Sequence, residues 1–375
     1  MCGIAGFIGF GDFQISDTSE IAKQMGNAIS HRGPDNQGIW KDDEGQMAMV
    51  HQRLSILDLS STGHQPMLSS SGHLVIAFNG EIYNHLDLRT ELQKNDLSEV
   101  GFKGWRGHSD TETLIVAIET WGLEETLRKS VGMFAFALWN RKEKSLTLVR
   151  DRIGEKPLYY GYQKGIFLFG SELKALKAHP MFEGNIDRNA MTLQLRHNYI
   201  AAPYSIYKGI RKLLPGTYLK LNNYKNQFLL NELPKPIPYW SLEDVIIKGQ
   251  ENPFEGSDTD AINRLDGVLR KSVKQQMISD VPLGAFLSGG IDSSVIVALM
   301  QTQSSNPVNT FSIGFNESDF NEAEYAKKVA KHLGTNHTEL YVTPKHVMDS
   351  IHRLPSLYDE PFSDSSQIPT FLLSE

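Results

Sequence analysis

Met1-Cys2-Gly3-Ile4-Ala5-Gly6-Phe7-Ile8-Gly9-Phe10 opens the chain, and the reading of this stretch decides the first domain. Cys2 is the one cysteine in 375 residues, so no internal disulfide and no multi-cysteine metal site can form. Once an initiator Met is removed, Cys2 carries a thiol and an α-amine on one carbon. An α-amine has an ordinary pKa of about 8, which leaves a neutral fraction near pH 7 to accept the thiol proton without a separate histidine. Gly3 is expected to let a substrate approach the backbone. Residues 4–10 read as a strand that buries and fixes the chain behind the cysteine.

At roughly 150 residues per domain, 375 residues correspond to about two domains or one large one. Lys and Arg number 37 against 44 Asp and Glu, a net charge of −7, which is opposite in sign to a nucleic-acid footprint. Hydrophobic residues at 40% and charged residues at 22% suit a globular protein, and no run reaches the ~18 apolar residues of a membrane span. The start has neither a basic leader nor a signal-peptide apolar core. A soluble, cytoplasmic protein is expected, without nucleic-acid or membrane partners.

Short apolar runs bounded by Gly, Asn, Asp or charged turns dominate the first half, among them Met47 to Leu57, Leu74 to Tyr83, Val131 to Trp139 and Gly165 to Ser171. Helical spacing appears at Ser19 to Ser30 and Thr111 to Trp121. Residues 222–258 change character through a Pro-Lys-Pro-Ile-Pro cluster and a Gly/Asn/Ser/Asp run, which marks a boundary. Beyond it, a helix from about Asp260 to Ser279 precedes alternating strand and helix, the pattern of a parallel α/β sheet.

Five further segments stand in order: His-Arg-Gly-Pro-Asp (31–35), His-Gln-Arg-Leu-Ser-Ile-Leu-Asp (51–58), Phe-Asn-Gly-Glu-Ile-Tyr-Asn (78–84), Ser-Asp-Thr-Glu (109–112) and Arg-Asp-Arg-Ile-Gly-Glu-Lys-Pro-Leu-Tyr-Tyr (150–160). With Cys2 they resemble the class II glutamine amidotransferases, and the whole chain resembles the glutamine-hydrolysing asparagine synthetase family. The resemblance implies an α+β domain, an N-terminal-nucleophile αββα sandwich, at residues 2–195. A connecting segment at 196–256 and an α/β synthetase domain at 257–375, with a parallel sheet of the ATP-pyrophosphatase (adenine nucleotide alpha hydrolase-like) type, are expected to come after it.

Residue types fit these roles. Cys2 is the nucleophile on the side-chain amide of glutamine, and Asn79 with the Gly80 N–H can donate to the tetrahedral oxyanion, a donor of that kind being worth about 2.7–4 kcal/mol. Arg53 offers a planar bidentate cation to the substrate α-carboxylate. The resemblance adds Asp110 and Glu81 for the α-ammonium, and Leu54 and Ile56 around glutamine. Taken singly, Arg53 also reads as a surface ion-pair partner, Asp110 as a helix N-cap and Asn79-Gly80 as a type I′ turn. His31, Arg32 and the 150–157 segment read as structural or interdomain rather than catalytic.

Strand, Ser288-Gly289-Gly290-Ile291-Asp292-Ser293-Ser294, then helix has the mechanics of an anion cradle, with glycines for close approach, hydroxyl donors and a helix N-terminus. It lacks the Gly-Lys-Ser/Thr ending of a Walker A loop, and no GxGxxG follows the strand. The loop resembles that of the ATP pyrophosphatases, which implies ATP contacts from Leu287 through Gly290, from Asp292, Ser293 and Ser294, and from Ile313. Asp292 and Asp364, the latter in the acidic stretch Tyr358 to Asp364, are the expected Mg²⁺ ligands.

The expected activity is a carbon–nitrogen ligation. Glutamine hydrolysis at Cys2 supplies ammonia, through a tunnel implied by the resemblance, to an acyl-adenylate of aspartate made with MgATP. The products are asparagine, glutamate, AMP and pyrophosphate. A homodimer is left open, as are three alternatives: a relative acting on another carboxylate such as a sugar acid, a fragment keeping glutaminase activity alone, and a non-catalytic remnant that binds glutamine or nucleotide. Family members continue past residue 375 into a Ser/Gly-Glu-Gly-x-Asp-Glu loop. If residue 375 ends the chain, impaired ATP-dependent synthesis is expected.

Overall fold

The computed structural model describes residues 1–9, 17–222, 233–315 and 321–374, which divide into two compact units. Phe10 of the expected first strand and residues 223–232 of the expected connector lie outside the described residues. The first unit comprises Met1–Glu251 with Asp359–Pro361.

Two six-stranded antiparallel sheets form the centre of this unit. One runs β10 (Ile210–Lys212), β8 (Tyr159–Gln163), β9 (Ile166–Gly170), β1 (Gly3–Gly9), β3 (Met47–Arg53) and β2 (Asn36–Asp42). The other runs β12 (Ile237–Pro238), β11 (Thr217–Leu221), β7 (Ser145–Arg150), β6 (Gly132–Asn140), β5 (Leu74–Ile82) and β4 (Met67–Leu68). The central strands are buried on both faces, which is why their sequences are continuous apolar runs rather than polar–apolar alternations. In β1, Ile4 and Ile8 join the core between the sheets, while Ala5 and Phe7 face the helices. In β5, Val75 and Ala77 enter the same central core, and Leu74, Ile76 and Phe78 point to the other helical layer.

Helices cover both outer faces. α1 (Thr18–Asn27), α5 (Leu173–Lys177) and α6 (Arg188–His197) pack Ala22, Met25, Leu176 and Ala190 against the first sheet. α2 (His85–Leu92), α3 (Asp110–Trp121) and α4 (Leu123–Lys129) pack Leu88, Leu114, Ile115 and Leu127 against the second. Four layers, αββα, result. α7 (Leu242–Glu251) closes the unit with no residue fully buried.

The connector expected at 196–256 needs correction. β10 extends the first sheet beside β8, and β11 and β12 extend the second beside β7, so the unit continues to Glu251. The proline cluster read as a linker supplies β12 at the sheet edge, where a residue without an N–H is tolerated because no ladder continues beyond it. Within the same unit, Asp359 accepts from the Leu173 and Lys174 amides at the start of α5, at 2.5 and 3.2 Å, and Glu360 pairs with Lys212 at 2.5 Å.

In the second unit, Asn252–Tyr358 with Phe362–Glu375, Ser257 and Asp260 form a capping box at the start of α8 (Asp258–Gln276). β13 (Gly284–Phe286), α9 (Ile291–Gln303), β14 (Asn309–Phe315), α10 (Ala323–Leu333) and β15 (Asn336–Val342) then alternate, and the three strands pair in parallel in the order β13-β14-β15. α11 (Pro344–Ile351), α12 (Leu354–Leu357) and α13 (Gln367–Ser374) complete the unit. Among the described residues no helix is long and apolar enough to cross a membrane.

Candidate active site

Pairing of β1 with β3 sets Gly3 opposite Gln52, and this register brings Cys2 to the end of β3. The Leu54 N–H donates to Cys2 Sγ at 3.4 Å, and Sγ lies 3.5 Å from the Leu54 carbonyl. Burial pushes the thiol above its ordinary value, and the Leu54 amide works against that rise. The Met1 amine is pushed down by burial. Gly3 packs closely against the chain that follows α1. A Cβ there would lie 2.9 Å from Ile29 Cδ1 and 3.2 Å from Arg32 Cδ, so glycine at this position allows close packing of the 29–32 segment.

Cys2 opens into a cleft whose wall also includes Arg53, Leu54, Ile56, Gly80, Glu81 and Asp110. These residues come from the end of β3 and the segment after it, from β5, and from the first turn of α3. Asn79-Gly80 is not a turn, since both residues lie within β5 opposite Ala135 and Phe134 of β6. Gly80 permits that approach, because a Cβ there would overlap the Met133 carbonyl. Asn79 is fully buried, and neither its Nδ2 nor its Oδ1 has a hydrogen-bond partner among the described residues. An orphaned buried amide costs about 1–3 kcal/mol, and the cleft wall includes Phe78 and Gly80 but not the Asn79 side chain between them.

Arg53 is buried, and its guanidinium donates through Nη1 to the Ser60 carbonyl at 2.9 Å and through Nη2 to the Asp58 carbonyl. It is no surface ion-pair partner. Asp110 is not the N-cap of α3 either: the Ser109 side chain accepts from the Glu112 amide, while Asp110 Oδ2 accepts from Ile82 N at 2.8 Å. Burial raises the Asp110 carboxyl against the opposing Ile82 hydrogen bond. Burial, and then the nearby Asp110, raises Glu81 as well. Two carboxyls held above their ordinary range favour a cation between them, which would restore both to the charged form.

Three residues outside the expected set support the cleft. Arg32 Nε donates to the Cys2 carbonyl at 2.9 Å, and Arg32 Nη1 pairs with Glu172 at 2.7 Å. His51 lies fully buried in β3 with Nε2 2.9 Å from the Phe78 carbonyl, next to Asn79, and burial pushes it down to about 3. Asp58 binds the loop behind Arg53. No local pattern distinguishes Arg32 from a surface basic residue. His51 and Asp58 are the two ends of the 51–58 motif, but their partners are brought close only by the fold.

In the second unit, Leu287 comes directly after β13 and donates its N–H to the Phe311 carbonyl at 2.8 Å. Ser288 and Ser293 hydroxyls lie 2.9 Å apart across the loop, and the Gly290 N–H donates to Ser288 Oγ at 3.3 Å. Gly289 has φ +81° and abuts α10, so that a Cβ would meet Ala326 N at 2.6 Å, and only glycine suits it. Gly290 is the N-cap of α9 without a side-chain cap, while Asp292 and Ser293 stand in the first turn. Ser294 N bonds the Gly290 carbonyl at 3.1 Å and belongs to the helix itself. The uncapped N-terminus with flanking hydroxyls suits a polyanion. Ile313 lies in β14 opposite Leu340. The exposed Asp364 accepts from Ser366 N and Oγ at 2.7 and 2.5 Å, a local turn. Among the described residues no group of three or more His, Cys, Asp or Glu side chains could hold a metal ion.

The sequence matches the glutamine amidotransferase domain family over residues 1–232 and the asparagine synthase family over residues 264–375. A Methanocaldococcus jannaschii chain provisionally named a glutamine-hydrolyzing asparagine synthetase is 35% identical over 397 residues, covering 100% of this chain and 71% of that relative. Two Bacillus subtilis relatives named asparagine synthetase (glutamine-hydrolyzing), numbered 1 and 2, are 30% and 32% identical over 100% of this chain. This chain spans 55% and 49% of their respective lengths. With both domain matches in order and identity sustained across its full length, the chain belongs to the glutamine-hydrolysing asparagine synthetase family.

Proposed function

We propose that the first unit hydrolyses glutamine at Cys2 and that the protein passes the ammonia to an ATP-activated carboxylate, aspartate by likeness to the relatives' names, giving asparagine. The observation that carries this reading is the cleft in which the Cys2 thiol shares one wall with Arg53 and Asp110. A cation and a carboxylate flanking a nucleophile match the two charged ends of a free amino acid.

With Met1 removed, the Cys2 amine takes the thiol proton as Sγ attacks the side-chain carbonyl carbon of glutamine. Asn79 Nδ2 donates to the oxyanion, the carbon–nitrogen bond breaks, and the amine's proton leaves with ammonia. Water then hydrolyses the thioester to glutamate and restores the thiol. Expulsion of water from the buried site strengthens each of these contacts.

In the second unit, the first-turn amides of α9 and the Ser288 and Ser293 hydroxyls would hold the phosphates of ATP, which supplies the activation of the carboxylate. Asp292, beside them, would share Mg²⁺ with those phosphates, since hard cations take carboxylate and phosphate oxygens together. Gly289 sets the loop against α10, and Ile313 lies on the neighbouring strand.

The test is Cys2→Ala, assayed for amide formation with glutamine and, separately, with ammonium as nitrogen donor. Loss of glutamine-dependent activity with retention of the ammonium-dependent one is expected. Equal loss of both, or loss of neither, would sink the two-site reading.

A further inference from the structure

We propose that Asp58 is a positioning residue that fixes the separation between Arg53 and Asp110, and so sets the selectivity of the cleft for a free α-amino acid. This inference rests on the glutaminase reading above and deepens it.

Arg53 and Asp110 come from different elements, the end of β3 and the first turn of α3. Their spacing has to match the distance between the carboxylate and ammonium of one substrate. Asp58 reaches both sides. Its carboxylate accepts from the His108 N–H at 3.0 Å, two residues before Asp110. It also accepts from Ser60 N at 3.2 Å, Ser60 Oγ at 2.5 Å and Thr62 Oγ1 at 2.9 Å, which folds the 58–62 turn around it. That turn presents two carbonyls, Asp58's own and that of Ser60, to the Arg53 guanidinium. A planar fork held by two carbonyls keeps one orientation.

The surroundings leave no slack. Asp58 is buried and adopts φ +58°, a left-handed backbone that Asp and Asn tolerate better than other side chains. A Cβ at Gly107 would overlap Asp58 Oδ2, and one at Gly63 would overlap Arg53 Nη2, so both neighbours approach as closely as glycine allows. Burial alone would raise the Asp58 carboxyl. The hydrogen bonds from Ser60, His108 and Thr62 outweigh that and hold it down at about 2, so it stays an acceptor for every donor around it.

Asp58→Asn keeps the shape and the left-handed backbone but removes the charge and part of the accepting capacity. Thr62→Val removes a single donor and serves as the milder variant should Asp58→Asn fail to fold. Each is compared with the unaltered chain for hydrolysis of L-glutamine and of L-glutamine α-amide, whose neutral end cannot pair with Arg53, and melting is followed in parallel. In Asp58→Asn we expect KM for glutamine to rise about tenfold with kcat within about threefold, and the preference for glutamine over its α-amide to fall about tenfold. Thr62→Val should lower that preference about twofold to fivefold. Unchanged preference in folded variants, or a fall in kcat at constant KM, overturns the proposal. If the unaltered chain hydrolyses neither substrate, the glutaminase reading itself has failed and the proposal falls with it.

Discussion

Arg32 Nε donates to the main-chain carbonyl of Cys2 at 2.9 Å while the same guanidinium pairs with Glu172, the residue before α5, at 2.7 Å. One planar group therefore ties the backbone of Cys2, the proposed nucleophile, to a distant part of the chain. A lysine cannot serve both acceptors in that geometry. Misplacing a nucleophile by about 1 Å can cost about a hundredfold in rate. Arg32→Lys should lower kcat for glutamine hydrolysis about tenfold or more, measured as glutamate release at saturating glutamine, and leave ammonium-dependent activity intact. An unchanged kcat would remove Arg32 from the positioning of Cys2.

Gly80→Ala probes the closest approach of β5 to β6. The new methyl would overlap the Met133 carbonyl, and the strand pair would have to part beside the proposed oxyanion donors. Overpacking of this kind costs about 1–3 kcal/mol. The expected result is a lower melting temperature of the first unit together with loss of glutamine hydrolysis. A stable and fully active variant would contradict the assignment of the Gly80 segment to the oxyanion.

Burial keeps His51 neutral, its pKa pushed down to about 3, whereas an unfolded histidine titrates at about 6.5. The folded state thus refuses a proton that the unfolded state accepts. Its contribution to stability is complete above about pH 6.5 and falls, by up to about 1.4 kcal/mol per pH unit, as pH drops towards 3. His51→Gln can keep a donor towards the Phe78 carbonyl without titrating. Denaturant midpoints at pH 7.5 and 5 should differ less for this variant than for the unaltered chain, and equal differences would show that His51 is not the titrating group.

The loop of the second unit is tested by Gly289→Ala. With φ +81° and the Ala326 amide within 2.6 Å of the added carbon, the loop has to leave α10. Protection of the second unit by ATP against thermal unfolding should be lost, because a ligand stabilises only the form that binds it. Glutamine hydrolysis by the first unit should be unaffected. Persistent protection by ATP would relocate the nucleotide.

Much of the architecture was legible locally. Runs such as Leu74 to Phe78 announce strands, and their lack of alternation, once both faces are known to be covered, is explained by the αββα layering. The proline-rich stretch misled because proline disfavours sheet interiors yet sits at an edge, and which strand is an edge is a property of the assembled sheet. Asn79-Gly80 likewise has the composition of a hairpin turn and is instead mid-strand, since the pairing of β5 with β6 runs past it.

The sequence by itself determined the chemistry available: a single thiol at position 2, an Asn-Gly pair, an arginine and an aspartate of the right types, and a glycine–serine loop between a strand and a helix. Tertiary structure decided which of these meet. Arg53 faces the cleft because β3 ends beside Cys2 in an antiparallel register, and Asp110 approaches because its carboxyl is anchored on Ile82 at the end of β5. Arg32, His51 and Asp58 gained their roles through hydrogen bonds to partners from 2 to 140 positions away in the chain. Half of those partners, the Cys2 and Phe78 carbonyls and the Ser60 and His108 amides, are backbone groups of a kind that nearly every residue carries, so residue identity cannot reveal them and only the folded path of the chain brings them into place.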